Sequence, residues 1–356
     1  MLRVITAILG TIALVACAPI TAHTQVPPTR AVASDTLPVL PAADRVRLAE
    51  AFRLADAVGD RVWDGWSQAP FAILLVTADH EFLLRHPAPS SDFTRIGYDS
   101  LLATEVFVRS RVFPPNLLAA FPAVGNVPTI VIGQPANTNQ TSTRWVLTLL
   151  HEHFHQLQSA QPDYYRGVAA LNLARGDTTG MWMLNYPFPY DSAAVQARFV
   201  AWTRALEAVL ARAPTAKSGD SLVRDPMVQQ VSETRRQLSA TLSADDDRYL
   251  AFQMWQEGVA RYTELQVARF AASSEYSPGE AFRALPDYSE YAVAAAAIEQ
   301  NIRAGLSNVD LSRSKRVAFY AAGAATALLL DAAVPGWRTQ YFAQKFSLDP
   351  LMRERN

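Results

Sequence analysis

The chain has 356 residues, 50% of them hydrophobic, and a formal net charge of −1 from 33 acidic and 32 basic side chains. That length and apolar content support a substantial core, as one large domain or two small ones, and exclude wholesale disorder. The near-neutral balance, with no basic stripe, lacks the charge footprint of a nucleic-acid-binding protein.

The first residues, MLRVITAILGTIALVACAPI, combine Arg3, a short apolar run and small side chains ahead of Cys17. The run falls short of the roughly 20 residues a membrane span needs and reads as a signal peptide over residues 1–16. Leu14-Val15-Ala16-Cys17 resembles the bacterial lipobox, where cleavage precedes a cysteine that is then lipidated. An ordinary signal peptide cut near Ala22 is the alternative. Cys17 is the only cysteine, so neither a disulfide nor a thiolate metal site can form downstream. Lipid chains anchor by burying methylenes. The expected location is therefore a membrane of the cell envelope, with the domain outside the cytoplasm. Ala18 after the cysteine, in place of an aspartate, favours an outer membrane. Residues 17–42, which include His23, are rich in proline and small polar residues and read as a tether.

Fold reasoning begins at residue 43. Val46, Leu48, Ala51, Phe52, Leu54 and Val58 recur at helical spacing. FAILLVT (71–77) reads as a strand, and FLLRHP beyond the polar ADHE suggests a hairpin. His80 and His86 read as surface residues around it. TEVFVRS (104–110) alternates, and VPTIVIG (127–133) is a β-branched run bounded by proline and glycine. These strands predict a small mixed or antiparallel sheet in 43–142. Residues 143–160, 192–213, 220–243, 248–272, 289–304 and 314–333 read as helices, with hydroxyls at 141–143 to cap the first. The loop GMWMLNYPFPYDS (180–192) interrupts them; it either covers core or lines a cleft with Trp182, Tyr186, Phe188 and Tyr190. Strands first and helices later predict an α+β fold.

Half of the six histidines fall within five positions of WVLTLLHEHFHQLQ (145–158). His151, Glu152 and His155 form H-E-x-x-H. On a helix, positions four apart share a face, so both imidazoles can reach one ion and Glu152 can take a proton from a water beside it. Imidazole and carboxylate suit zinc, one per chain, with three protein ligands in a catalytic site. His153 points elsewhere, as neighbouring surface or support for the ligands. The third ligand is expected at Glu257, in MWQEGVARYTELQ (254–266). Gly258 costs a helix about 1 kcal/mol and needs a reason, such as close approach of two helices around a shared metal. Glu257, Arg261 and Glu264 fall on one face, giving a ligand with ion-paired support; a solvated charged face is the alternative.

Trp255, Glu257, Gly258, Ala260, Tyr262 and Glu264, as W-x-E-G-x-A-x-Y-x-E, resemble the second zinc-binding helix of gluzincin metallopeptidases, the M1 aminopeptidases and their peptidase-MA-like relatives. FYAAGAATALLLD (319–331) is similar to a later segment of these enzymes. The resemblance implies a zincin-like active-site helix, Glu257 as third ligand and Tyr320 as the hydroxyl that stabilises the oxyanion. Tyr288 and Tyr291 are the fallback. It covers little of the chain, and about a hundred residues separate His155 from Glu257, implying an inserted helical excursion near 160–247. GQPANTNQ (133–140) replaces the family's glycine-rich exopeptidase segment, so endopeptidase and exopeptidase both stay open. As gluzincins commonly do, VPTIVIG would pair its edge with an extended substrate.

The expectation is a membrane-anchored zinc metallopeptidase acting on a peptide or protein substrate. A zinc hydrolase of another bond, a non-catalytic lipoprotein that binds a protein partner, and a chance coincidence of motifs are the alternatives.

Overall fold

The computed structural model describes residues 37–212 and 225–352. Cys17, Ala22, His23 and the start of the helix expected over 220–243 lie outside the described residues. Leu40–Asn356 forms one compact unit.

Helix α1 (Ala42–Val58) opens this unit and buries Leu48, Phe52, Leu54 and Val58. Six strands follow: β1 (Ile73–Val76), β2 (His80–Leu84), β3 (Thr94–Asp99), β4 (Thr104–Ser110), β5 (Leu118–Val124) and β6 (Val127–Gly133). They form one sheet in the order β3-β4-β2-β1-β6-β5. The sheet is mixed: β1 runs parallel to β6, with Ile73 opposite Ile130, and the other pairings are antiparallel. VPTIVIG is therefore an internal strand, and the edge beside it is β5, which the sequence pattern did not reveal.

Strand β1 is apolar at every position, and β2 and β6 are apolar over Phe82–Leu84 and Ile130–Ile132, because both faces are covered. Ile73, Leu75, Phe82, Leu84, Ile130 and Ile132 join the main core. Leu74, Val76, Leu83 and Val131 form a second cluster on the other face, against Phe107, Phe113 and Phe121.

The helical part comprises α2 (Ser142–Ser159), α3 (Tyr164–Ala170), α4 (Ala193–Arg212), α5 (Pro226–Ser239), α6 (Ala244–Gln253), α7 (Val259–Ala271), α8 (Tyr291–Ser307) and α9 (Ala318–Ala333). The arrangement is α+β, as the order of strands and helices implied. Helices α4 and α5 pack on each other, and α4 also packs on α8 and α9. The stretch Leu311–Ala333 has the length and composition of a membrane span, but 72% of its most apolar window is buried. It is the core helix of this unit.

Gly258 and Gly323 mark a close approach of two helical segments. A Cβ on Gly258 would stand 2.5 Å from Gly323 Cα, and one on Gly323 would stand 2.7 Å from the Met254 carbonyl oxygen. Close approach does explain Gly258, but the partner is the helix that carries Tyr320, not the one that carries the histidines.

The loop at 180–192 covers core. Trp182, Tyr186 and Phe188 are buried, with Tyr186 stacked on Tyr249 and Phe188 edge-on to Phe319. Only half-buried Tyr190 faces the neighbourhood of Tyr320.

Candidate metal centre

Helix α2 is buried from Trp145 to Gln158, so its position is set by contacts on every side. At its start, Thr141 caps the Arg144 N–H, and Asp287 accepts from both the N–H and the hydroxyl of Ser142, at 2.9 and 2.6 Å. Trp145 Nε1 donates to Gly133 O at 2.8 Å, tying the helix to the end of β6. Near its other end, the Gln156 amide donates to Ala72 O and Pro128 O, both at 2.9 Å. A helix clamped in this way presents its side chains at fixed positions, as an ion site requires.

The second element is the run from α6 to α7. Its joint, Met254–Gly258, is a π-helical turn, and Glu257 sits within it. A π turn holds one extra residue and changes the direction of the side chains it carries; such turns are frequent at functional sites. This one points Glu257 back at α2.

The result is a cluster in which His151, His155 and Glu257 each offer a ligand atom, all within 4.8 Å of one another. Glu257 Oε2 lies 3.9 Å from His151 Nε2 and 3.7 Å from His155 Nε2. Tetrahedral coordination at about 2.0–2.1 Å spaces ligand atoms about 3.4 Å apart, so small side-chain movements close the set around an ion. This group can hold a metal ion.

The imidazole hydrogen bonds strengthen that fit. His155 Nδ1 lies 2.7 Å from Gln158 Oε1. Gln158 Nε2 donates to Gln256 O at 3.1 Å and to the Tyr341 hydroxyl at 2.8 Å, which fixes the amide with its oxygen toward the ring. Nδ1 therefore carries a proton, and Nε2 is the ring nitrogen turned toward Glu257, which gives its lone pair to an ion once it is deprotonated. His151 is oriented by a charge: its Nδ1 lies 3.4 Å from Glu264 Oε2. Glu264 is buried and pairs with Arg144 and Arg261. Burial raises the Glu264 carboxyl, but the two guanidinium groups outweigh it and hold the group ionised. The Arg261–Glu264 pair is present, but it stands behind His151 instead of Glu257, with Arg144 as an additional member.

Glu257 and His155 form a coupled pair. Burial disfavours charge on both, yet their mutual attraction lowers the Glu257 carboxyl to about 2 and raises the His155 imidazolium to about 9. The carboxylate thus attracts positive charge into the space between itself and the imidazoles.

Glu152 is buried next to the cluster. Burial pushes its carboxyl up, His155 and His151 pull it down, and it accepts from the Ala120 N–H on β5; the net shift is upward. A carboxylate raised in this way is a better proton acceptor than a solvated one. Tyr320 is half-buried on α9. Its hydroxyl accepts from Arg316 Nη1 and lies in the field of the Glu257 carboxylate.

Among the described residues, the histidines outside the cluster are placed as follows. His153 is not on the surface; its ring stacks on Phe71 with centroids 4.0 Å apart, and burial lowers its pKa to about 4. His86 is buried as well and bonds to Val124 O, while His80 is half-buried in β2. The fallback tyrosines point away from the cluster: Tyr288 donates to Glu290 and Tyr291 to Glu50.

Sequence reasoning missed Gln158, Tyr341, Arg144 and Arg316. Gln158, three residues after His155, and Arg316, four before Tyr320, stand at helical-neighbour spacing that could have identified them. Tyr341 has no such signal. No protein-family model, no curated protein and no solved structure matches the chain.

Proposed function

We propose that the protein is a zinc-dependent hydrolase of peptide bonds, a metallopeptidase of the gluzincin type. The observation that carries this reading is the convergence of His151 and His155 with Glu257, about a hundred residues further along the chain, with Glu152 beside them. Two oriented imidazoles and one carboxylate are the donor set of a catalytic zinc site.

When bound, zinc supplies a Lewis acid that polarises a carbonyl and acidifies water. Glu152 accepts a proton from the attacking water and passes it to the leaving amine. Tyr320 donates a hydrogen bond to the oxyanion that develops on the scissile carbonyl. An extended substrate would add to β5, the sheet edge whose Ala120 N–H already meets Glu152, replacing the role first expected of β6. The Leu14–Cys17 lipobox supports a lipid anchor at Cys17 that holds the domain at the cell envelope.

The test is metal analysis together with one substitution. The protein should carry about one zinc per chain, and Glu152→Gln should keep it while lowering cleavage of a peptide pool at least roughly hundredfold. Cleavage that survives Glu152→Gln rules out the assigned base. Full zinc occupancy with no cleavage of any peptide, even by the unsubstituted chain, favours a partner-binding role or a different bond.

A further inference from the structure

Arg316 lies one turn before Tyr320, in the 3-10 turn Lys315–Val317 that leads into α9. It is a buried cation, 8% exposed. The other strongly buried arginine of the helical part, Arg235, is clamped by Asp247 at 2.7 Å and Asp349 at 2.8 Å. Arg316 has no such clamp among the described residues. Its nearest carboxylate oxygen, Glu257 Oε1, is 4.0 Å away, and its one hydrogen bond runs from Nη1 to the Tyr320 hydroxyl.

A guanidinium can only donate, so at this contact the Tyr320 oxygen is the acceptor. The hydroxyl's own proton must then be given in another direction. Glu257, whose Oε1 lies 4.0 Å from the same Nη1, is the carboxylate on the ligand side that faces this hydroxyl. Tyr320 is thereby oriented as a donor toward the ligand cluster.

We propose that Arg316 is a positioning residue: by occupying a lone pair of the Tyr320 oxygen, it keeps the phenolic proton turned toward the ligand cluster, where an oxyanion would accept it. The inference rests on the hydrolytic reading above. It assigns Arg316 no contact with substrate, so its whole effect passes through Tyr320.

A double-substitution cycle tests this with Arg316→Gln, Tyr320→Phe and the pair together, all on the zinc-loaded chain. Two readouts apply: cleavage of a quenched fluorescent peptide, and calorimetric binding of a phosphoramidate peptide, which imitates the tetrahedral anion. Arg316→Gln should leave zinc content unchanged, lower kcat about tenfold or more with KM within about twofold, and weaken the phosphoramidate comparably. In the Tyr320→Phe background the same change should add less than about threefold to either readout. Arg316→Lys, which keeps a charged donor where glutamine offers only a neutral one, should recover part of the loss, and a folding defect would show instead as lost zinc in both Arg316 variants. A full effect of Arg316→Gln in the Tyr320→Phe background overturns the proposal, because Arg316 would then touch the substrate itself. So does an effect confined to KM, or a wild-type protein that does not bind the phosphoramidate. Coupling in phosphoramidate binding without peptide cleavage would remove the peptidase reading and leave the role of Arg316 standing.

Discussion

The Gln158 amide oxygen receives the Nδ1 proton of His155 at 2.7 Å, and this contact determines which nitrogen of the ring faces Glu257. Gln158→Leu removes the acceptor and frees both the tautomer and the ring orientation. Loss of such a supporting partner typically lowers metal affinity about 10- to 100-fold. Competition with a chromophoric chelator measures the change, and an affinity within a factor of two of wild type would refute the role given to Gln158.

An ion held by three residues of the folded chain stabilises the fold by mass action. At a free zinc concentration a hundred times its dissociation constant, the gain is about 2.7 kcal/mol. Chelation should therefore lower the melting temperature of the wild-type protein. Glu257→Ala should melt at the same temperature with or without chelator. A response to chelator that persists in Glu257→Ala would exclude that carboxylate from the ligand set.

Gly258 and Gly323 leave no room for a methyl group between the π turn and α9. Gly323→Ala forces those backbones apart, and overpacking of this kind costs about 1–3 kcal/mol. Urea denaturation should show a midpoint shift of that size. Because α9 carries Tyr320 and the π turn carries Glu257, peptide cleavage should fall by more than zinc content does.

His86 contributes a pH dependence remote from the ligand cluster. Its Nε2 lies 3.1 Å from Val124 O, and its Nδ1 accepts from the Ala88 N–H at 3.1 Å, so the neutral ring satisfies both contacts. Burial lowers its pKa, against the opposing effect of those backbone bonds. The folded value thus lies below the unfolded value of about 6.5. Stability from this group is complete above about pH 6.5 and is lost as pH falls through the folded value. Urea midpoints at pH 8 and pH 5 should differ less for His86→Gln, which does not titrate, than for wild type.

The parts of the site on regular helices were legible in the sequence because helical spacing fixes which residues share a face. His151 and His155 read directly as a pair, and Glu257 and Glu264 fell on one side of a second helix. Edge strands carried no comparable signal. Pro122 breaks the strand pattern of β5, at a point where the register against β6 shifts between Phe121 and Val124. Strand β3 is largely exposed and bulges between Arg95 and Gly97, so neither face shows apolar alternation. The apolar run of β6 looked the same whether internal or at an edge, because only pairing with β5 decides that. His86 and His153 were misplaced because an imidazole reads as polar in sequence, while stacking and one backbone acceptor suffice to bury it.

The π turn at Met254–Gly258 makes the orientation of Glu257 a matter of counting. Successive residues of an α-helix are rotated by about 100° around the axis. Deleting one residue from the turn would restore the ordinary winding and swing the downstream helix by that angle relative to α6. Glu257 and Glu264 could then no longer both face the two imidazoles, although every side chain of the centre would still be in the chain. Length polymorphism at this joint would thus abolish the centre as surely as losing a histidine.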